Sequence, residues 1–330
     1  MRPLVALLAI LLLAAPAGAG ATTPVAKRSW AHVQIVAVTE AGLLGGDAEA
    51  FRPDDPLSGE ELEELAQGLS LAGMPEAPAL ATVTMAALDA RLVQALGLQD
   101  AAYRFFRTAR GAGLNPPKRF GTETVARLLE LRFNHPAGTD VLELLPTEPA
   151  TRAEAAYSAA RVLALADEDV ERVRELSKAF ALPQPTPWQQ RLLRKAVSLV
   201  GHPYIWSGTD RGFDCSGFVW RVFKLTTYPG GQGLGAVLAG RTSQAMSGEV
   251  AKSLRLAADV VQPADVLFFG AKGPKSKPAQ VDHMGIALGN GWMIHSSRFG
   301  VTVVPLQGWW HDGFAWARRP LAEAGIEVTF

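Results

Sequence analysis

A single cysteine, Cys215, occurs in 330 residues, so the chain closes no internal disulfide and a stapled, disulfide-dependent fold is excluded. An excess of one charge is also missing. The 32 Lys and Arg balance 32 Asp and Glu, which leaves no global field to draw the chain to nucleic acid or anionic lipid. The apolar run from Leu4 to Ala15 is ended by Pro16 and the following glycines, well short of the roughly 20 residues that span a bilayer. Close-spaced zinc-ligand pairs such as C-x₂-C are absent, and Cys215 lies far along the chain from His283, His295 and Asp282, so neither a metal nor another cofactor is expected. The glycine-rich run PGGQGLG has no Lys-Ser/Thr after it, which fits a mobile loop at a cleft rim rather than a phosphate loop.

What is present begins with MRPLVALLAILLLAAPAGAGATTP: Arg2, an apolar stretch, then small residues with A-x-A spacing at Ala17/Ala19 and Ala19/Ala21. This is the anatomy of a secretory signal peptide, expected to span residues 1–21 and to direct the rest outside the cell. No cysteine lies near the cut, so no lipoprotein anchor is expected. Further on, Pro183, Pro185 and Pro187 predict a stiff extended connector at 182–187. Upstream of it, Ala, Leu, Glu and Arg recur at helical spacing, as in EELEELAQGLSLAG and TVARLLELRF; downstream, Val, Gly and aromatics increase and short strand-like runs begin.

The upstream half holds a repeat. PDDPLSGEE from Pro53 and PTEPATRAE from Pro146 share P-x-[DE]-P-x-[ST]-x-x-E, in which Ser58 with Glu61, and Thr151 with Glu154, form capping boxes that start helices. With WAHVQIVAVTEAGLLGG from Trp30, and a degraded middle copy at RFFRTARGAGLNPPKRFGTE, the pattern resembles the S-layer homology (SLH) repeat. That resemblance implies an all-α domain over 28–181 gripping secondary cell-wall polymer, with Trp30 and Arg152 at matching positions. Gly59 stands where the first repeat would carry Arg, and the middle copy lacks the box.

The downstream half carries the chemistry. In GTDRGFDCSGFVWRVFKL, Gly208 to Gly212 form a loop, Asp214 is a good N-cap, and Phe218, Val219, Val222 and Phe223 recur as a helical stripe. Cys215 then lies in a first helical turn, where peptide dipoles are expected to lower its pKa below about 8.5, with Gly217 keeping bulk away from the sulfur. Alone, such a cysteine is an inert buried side chain, a partner-seeking thiol or a nucleophile. A nucleophile needs an imidazole beside it. In VDHMGIALGNGWMIHSS, Gly289-Asn290-Gly291 predicts a hairpin turn with His283 on one arm and His295 on the other. A two-residue Asn-Gly loop would set His295 opposite Ile286 and turn it to the other face, whereas a three-residue loop sets it opposite Gly285, on the face of His283. The pair requires the second register, with Gly291 at positive φ.

HPYIWSGTDRGFDCSGFVW, RTSQAM, PADVLFFG and DHMGIALGNGWMIHSS, in that order, resemble the NlpC/P60 cysteine peptidases of bacterial cell walls over Trp188 to Arg319. The resemblance implies an α+β, papain-like domain at 188–320, with the cysteine helix against an antiparallel sheet and a tail at 321–330. It implies an endopeptidase cutting γ-D-glutamyl-diaminopimelate bonds in peptidoglycan stem peptides. By the same resemblance, Cys215 is the nucleophile, His283 the base, His295 the residue orienting it, and Tyr204 with the Cys215 N–H the oxyanion hole. Asp214 and Ser216 would hold the stem peptide. Two departures stand out: Ser207 replaces the first glycine of the family's W-G-G step, and TTYPGGQGLGAVLAG is longer and richer in glycine than usual. The competing readings are a wall-binding protein without catalysis and a thiol amidase or acyltransferase acting on another substrate.

Overall fold

The structure is a computed structural model that describes residues 29–70, 75, 80–132, 143–224 and 234–328. The expected signal peptide and most of PGGQGLG lie outside these residues. No helix among the described residues is long and apolar enough to cross a membrane.

Helices fill the first half: α1 His32–Glu40, α2 Gly59–Leu69, α3 Met85–Ala95, α4 Gln99–Gly111, α5 Phe120–Leu128, α6 Arg152–Ala164 and α7 Asp167–Ala179. Side-chain caps start three of them. Ser58 and Glu61 form the full capping box of α2, Thr84 accepts from the Ala87 N–H, and Thr151 accepts from the Glu154 N–H. The loops ahead of these caps bond to one another, with Leu57 N–H donating to Ala150 O at 2.8 Å and Met85 N–H to Glu148 O at 3.0 Å. Each Ala-Gly-Leu turn ends a helix the same way. Gly42 and Gly113 sit at φ 75° and 73°, and Leu43 and Leu114 donate back to Val38 O and Ala109 O, the left-handed cap that glycine makes cheap.

The second half is mixed. Helices α8 Pro187–Ser198, α9 Cys215–Lys224 and α10 Ser243–Gly248 precede a five-stranded antiparallel sheet of order β4-β3-β2-β1-β5. Its strands are β1 Val266–Phe269, β2 His283–Gly289, β3 Trp292–Ser297, β4 Gly300–Pro305 and β5 Phe314–Arg318. Helix α9 packs its Phe218, Val219, Val222 and Phe223 stripe into the main core together with Met284, Ile286 and Ile294 of the sheet. A smaller cluster of Leu267, Phe269, Ala287, Met293 and Phe314 lies on the other strand face, as period-two alternation requires. This is the α+β arrangement of a cysteine-bearing helix against an antiparallel sheet.

The two halves share one core. Phe180, just before the proline segment, packs against Phe105 of α4 at 5.0 Å and edge-to-face against Trp292 of β3 at 4.8 Å. The proline segment is extended but packed: a Cβ on Gly289 would lie 2.6 Å from the Pro183 ring. Thr186 caps α8 with Pro187 at its start, where a missing N–H costs nothing. Arg127 of α5 reaches furthest across. Its guanidinium donates to Phe299 O at 2.5 Å and Gly201 O at 2.6 Å and pairs with Glu143 at 2.7 Å. Asp89, Glu123, Arg132 and Glu154 complete a buried ionic cluster around it. Burial first, then the charge of Asp89, pushes the Glu123 carboxyl up to about 7.

Candidate active site

Cys215 is the first residue of α9 and keeps partial exposure. Asp214 Oδ1 accepts the Gly217 N–H at 2.5 Å and the Ser216 hydroxyl at 3.0 Å, so the aspartate caps the helix as its position predicts. Both flanking residues are buried, 9% and 5% exposed. Arg241 holds them, donating to Ser216 Oγ at 2.8 Å and Asp214 Oδ1 at 3.3 Å, with Gly208 O at 3.4 Å. The absent side chain of Gly217 is explained differently from the expectation. A Cβ there would lie 1.9 Å from the Gly208 carbonyl, so the glycine admits the loop rather than sparing the sulfur.

That loop brings Tyr204 to the thiol. Phe213 N–H donates to Pro203 O at 3.0 Å and Ile205 N–H to Phe213 O at 3.4 Å, folding 203–213 back on itself. Burial first, then the charges of Cys215 and Asp214, pushes the Tyr204 phenol up to about 12, so it stays protonated and can donate. Ser207 sits at φ 59°, the left-handed conformation that the W-G-G glycine would adopt freely. Ser207→Gly is therefore expected to raise stability by about 1 kcal/mol through lost backbone strain, read from the denaturant midpoint. A lower midpoint would show that the serine side chain compensates.

The hairpin places the histidines. Ile286 faces Ile294 and Ala287 faces Met293, which sets His295 opposite Gly285, on the same strand face as His283. The route differs from the expected three-residue loop. Asn290 and Gly291 form a two-residue turn at φ 50° and 75°, and a bulge between Ala287 and Gly289 supplies the odd residue. His283 Nε2 lies 2.7 Å from His295 Nδ1. One nitrogen of each ring is thereby committed, and His283 Nδ1 is not used in this bond. Ser296, next to His295, donates to Phe213 O at 2.6 Å and ties this strand to the residue two before Cys215.

The sulfur meets the start of β2. Backbone N–H groups of Met284, Ser216 and Cys215 point at it and favour the thiolate, yet burial first, then the Asp214 charge, pushes the thiol up to about 11. The expected lowering by the helix dipole is overturned. A dipole contributes about 0.3–2 kcal/mol, whereas burial shifts a pKa by up to about 3–5 units, each worth about 1.4 kcal/mol. Burial likewise lowers His283 to about 3 and holds His295 well below its ordinary value, helped by His283. The resting pair is neutral thiol and neutral imidazole. Alkylation of Cys215 by iodoacetamide is accordingly expected to accelerate with pH up to about 11; a plateau below about pH 8 would show a preformed thiolate.

Sequence reasoning gave no role to Arg241 or Ser296, although RTSQAM and HSS were both in view; their partners lie 27 and 83 residues away. Of the other histidines, His202 bonds the Arg211 carbonyl and His311 pairs with exposed Asp312.

A partly exposed thiol at a helix start, with a histidine pair on the adjoining sheet, is the arrangement a papain-like fold would place together. The chain carries an NlpC/P60 family domain, residues 201–319 matching that family's model. It is 37% identical over 133 residues to the probable peptidoglycan endopeptidase LytE of Bacillus subtilis, covering 39% of this chain and 34% of that protein. It is 29% identical over 134 residues to a gamma-D-glutamyl-L-lysine dipeptidyl-peptidase of the same organism, covering 40% of each. A crystal structure of an NlpC/P60 family protein from Bacillus cereus is 31% identical, with a TM-score of 0.33, over 42% of this chain and 41% of that one. The matches span less than half the length of these relatives.

Proposed function

We propose that the protein is an extracellular or wall-associated cysteine endopeptidase that cleaves γ-D-glutamyl-diaminopimelate bonds in peptidoglycan stem peptides. The observation that carries this reading is the His283–His295 hydrogen bond at 2.7 Å beside a thiol that the Met284 N–H holds at the start of the same strand.

In this reading the Cys215 sulfur attacks the scissile carbonyl as its proton passes to His283 Nδ1. His283 Nε2–H donates to His295 Nδ1, which fixes the tautomer and spreads the imidazolium charge. The Tyr204 hydroxyl and the Cys215 backbone N–H receive the oxyanion. The proton on His283 then leaves with the departing amine, a thioester remains on Cys215, and water activated by the same imidazole releases the acid. Asp214 and Ser216, which the family resemblance assigns to the stem peptide, act first on the site itself by capping α9 and anchoring Arg241.

The polymer-gripping role implied for Trp30 and Arg152 finds less support. Arg152 is ion-paired with Glu61, stacked 4.4 Å over Phe51 and bonded to Leu44 O, so its charge is already used. The helical region serves in this reading as the scaffold that Arg127 locks to the peptidase half. Incubation with purified peptidoglycan tests the function. Soluble peptide fragments are expected, and none after iodoacetamide treatment; retention of intact muropeptide without fragments would make the protein a binder instead.

A further inference from the structure

A short helix, α11 Trp309–Asp312, follows β4 and returns the chain to the histidine pair. Its Trp310 ring lies 4.9 Å from the His283 ring and 4.6 Å from the His295 ring, the latter at 86°. Phe269 closes the same group, 5.3 Å from Trp310 and 6.1 Å from His283. His295 Nε2 is buried and has no hydrogen-bond partner among the described residues. If His283 is to accept a proton at Nδ1, its own proton sits on Nε2, His295 accepts at Nδ1, and the His295 proton must sit on that orphan Nε2. A buried N–H with no polar protein acceptor is costly. The indole stands perpendicular to that ring at 4.6 Å, an edge-to-face contact that covers it with an aromatic surface.

We propose that Trp310 is a positioning residue: its indole covers both imidazoles, excludes water from their shared hydrogen bond, and so keeps the pair in the tautomer that lets His283 serve as base. The residue touches no reacting atom in this account and acts through the two rings. The inference rests on the peptidase reading for its catalytic consequence, but the ring geometry stands without it. Few ionisable groups surround the pair. Cys215 meets the start of β2, with Asp214 and Tyr204 around the sulfur. Exposed Asp282 precedes His283, and His311 and Asp312 beyond Trp310 are exposed and paired with each other at 3.0 Å. From β4 the residue facing His295 is Thr302, and from β1 the residue facing His283 is Phe269. Burial is thus the main control on the imidazoles, and Trp310 packs against both rings.

The test is a ¹⁵N-histidine NMR titration of the full chain and its Trp310→Ala and Trp310→Phe variants, followed by hydrolysis of stem peptide. In Trp310→Ala both imidazoles are expected to titrate about 1–3 pH units higher, with kcat down about 10²-fold and KM within about twofold. Trp310→Phe, which keeps an aromatic cover, is expected to lie closer to the original. Unmoved titrations and tautomer signals in a folded Trp310→Ala protein would overturn the proposal. Should that variant not fold, Trp310→Phe carries the test, with an upward shift of at least about half a unit expected and no shift contradicting it. Because the titration needs no substrate, a protein that leaves stem peptides intact but shows these shifts would refute the peptidase reading and leave this inference standing.

Discussion

Replacing Cys215 with serine is expected to lower kcat on stem peptides by about 10³- to 10⁶-fold while KM changes little. The group removed acts in the chemical step, and substrate contacts outside the sulfur remain. Serine keeps the shape, and the N–H groups of Met284, Ser216 and residue 215 that point at the sulfur would still meet its oxygen. Its hydroxyl is far harder to deprotonate, and His283, neutral and lowered to about 3 by burial, is too weak a base to compensate. The thiol itself is pushed up to about 11, so only on the order of one in 10⁴ is ionised at pH 7. In the proposed mechanism attack must therefore coincide with proton transfer, and everything that aligns Cys215 with His283 counts. A rate within tenfold of the original, measured with the variant's melting temperature unchanged, would end the nucleophile assignment.

Arg127 carries the second large effect. Arg127→Met is expected to destabilise the protein by about 3–5 kcal/mol, because it leaves the buried Glu143 carboxylate without its closest cation and strips donors from the buried Gly201 carbonyl and the half-buried Phe299 carbonyl. The melting temperature should fall on the order of 10 °C. Activity should fall with it below the melting point. Gly201 lies three residues before Tyr204; its N–H donates to Val301 O, and the Val301 N–H donates to His202 O at the edge of the sheet, so loosening this joint moves the loop that carries Tyr204. The clamp also titrates. Glu123 holds its proton to about pH 7 in the folded chain against an ordinary 4.5, so between those values the native state binds more protons than the unfolded one. Its contribution is present below about 4.5 and is lost as pH rises through 7. A melting temperature unmoved by Arg127→Met would mean that the helical half is a detachable appendage.

Much of the second, sheet-bearing half was legible because its signals are local. Asp214 before an apolar stripe announces a capped helix, and GNG between alternating runs announces a hairpin. The strand register was posed correctly as the deciding question, but its answer came from a bulge, which changes side-chain parity without any residue type that marks it. The joint between the halves was hidden. Three prolines at 183–187 promise a spacer in sequence, yet Pro183 fills the space above Gly289 and Thr186 opens α8. The thiol's pKa was misjudged for a related reason: a helix start is visible in sequence, whereas the depth of burial that outweighs it is a property of the whole fold. Arg241 shows the same limit, since its motif was in plain sight but the aspartate it holds lies across a loop.

Mass spectrometry of a defined L-Ala-γ-D-Glu-diaminopimelate-D-Ala peptide after incubation with the protein tests the account most directly. The account predicts two fragments, L-Ala-D-Glu and diaminopimelate-D-Ala, at a rate that falls to background when Cys215 is alkylated. An intact peptide after prolonged incubation with folded protein, or the same fragments formed at an undiminished rate by the alkylated protein, would contradict it.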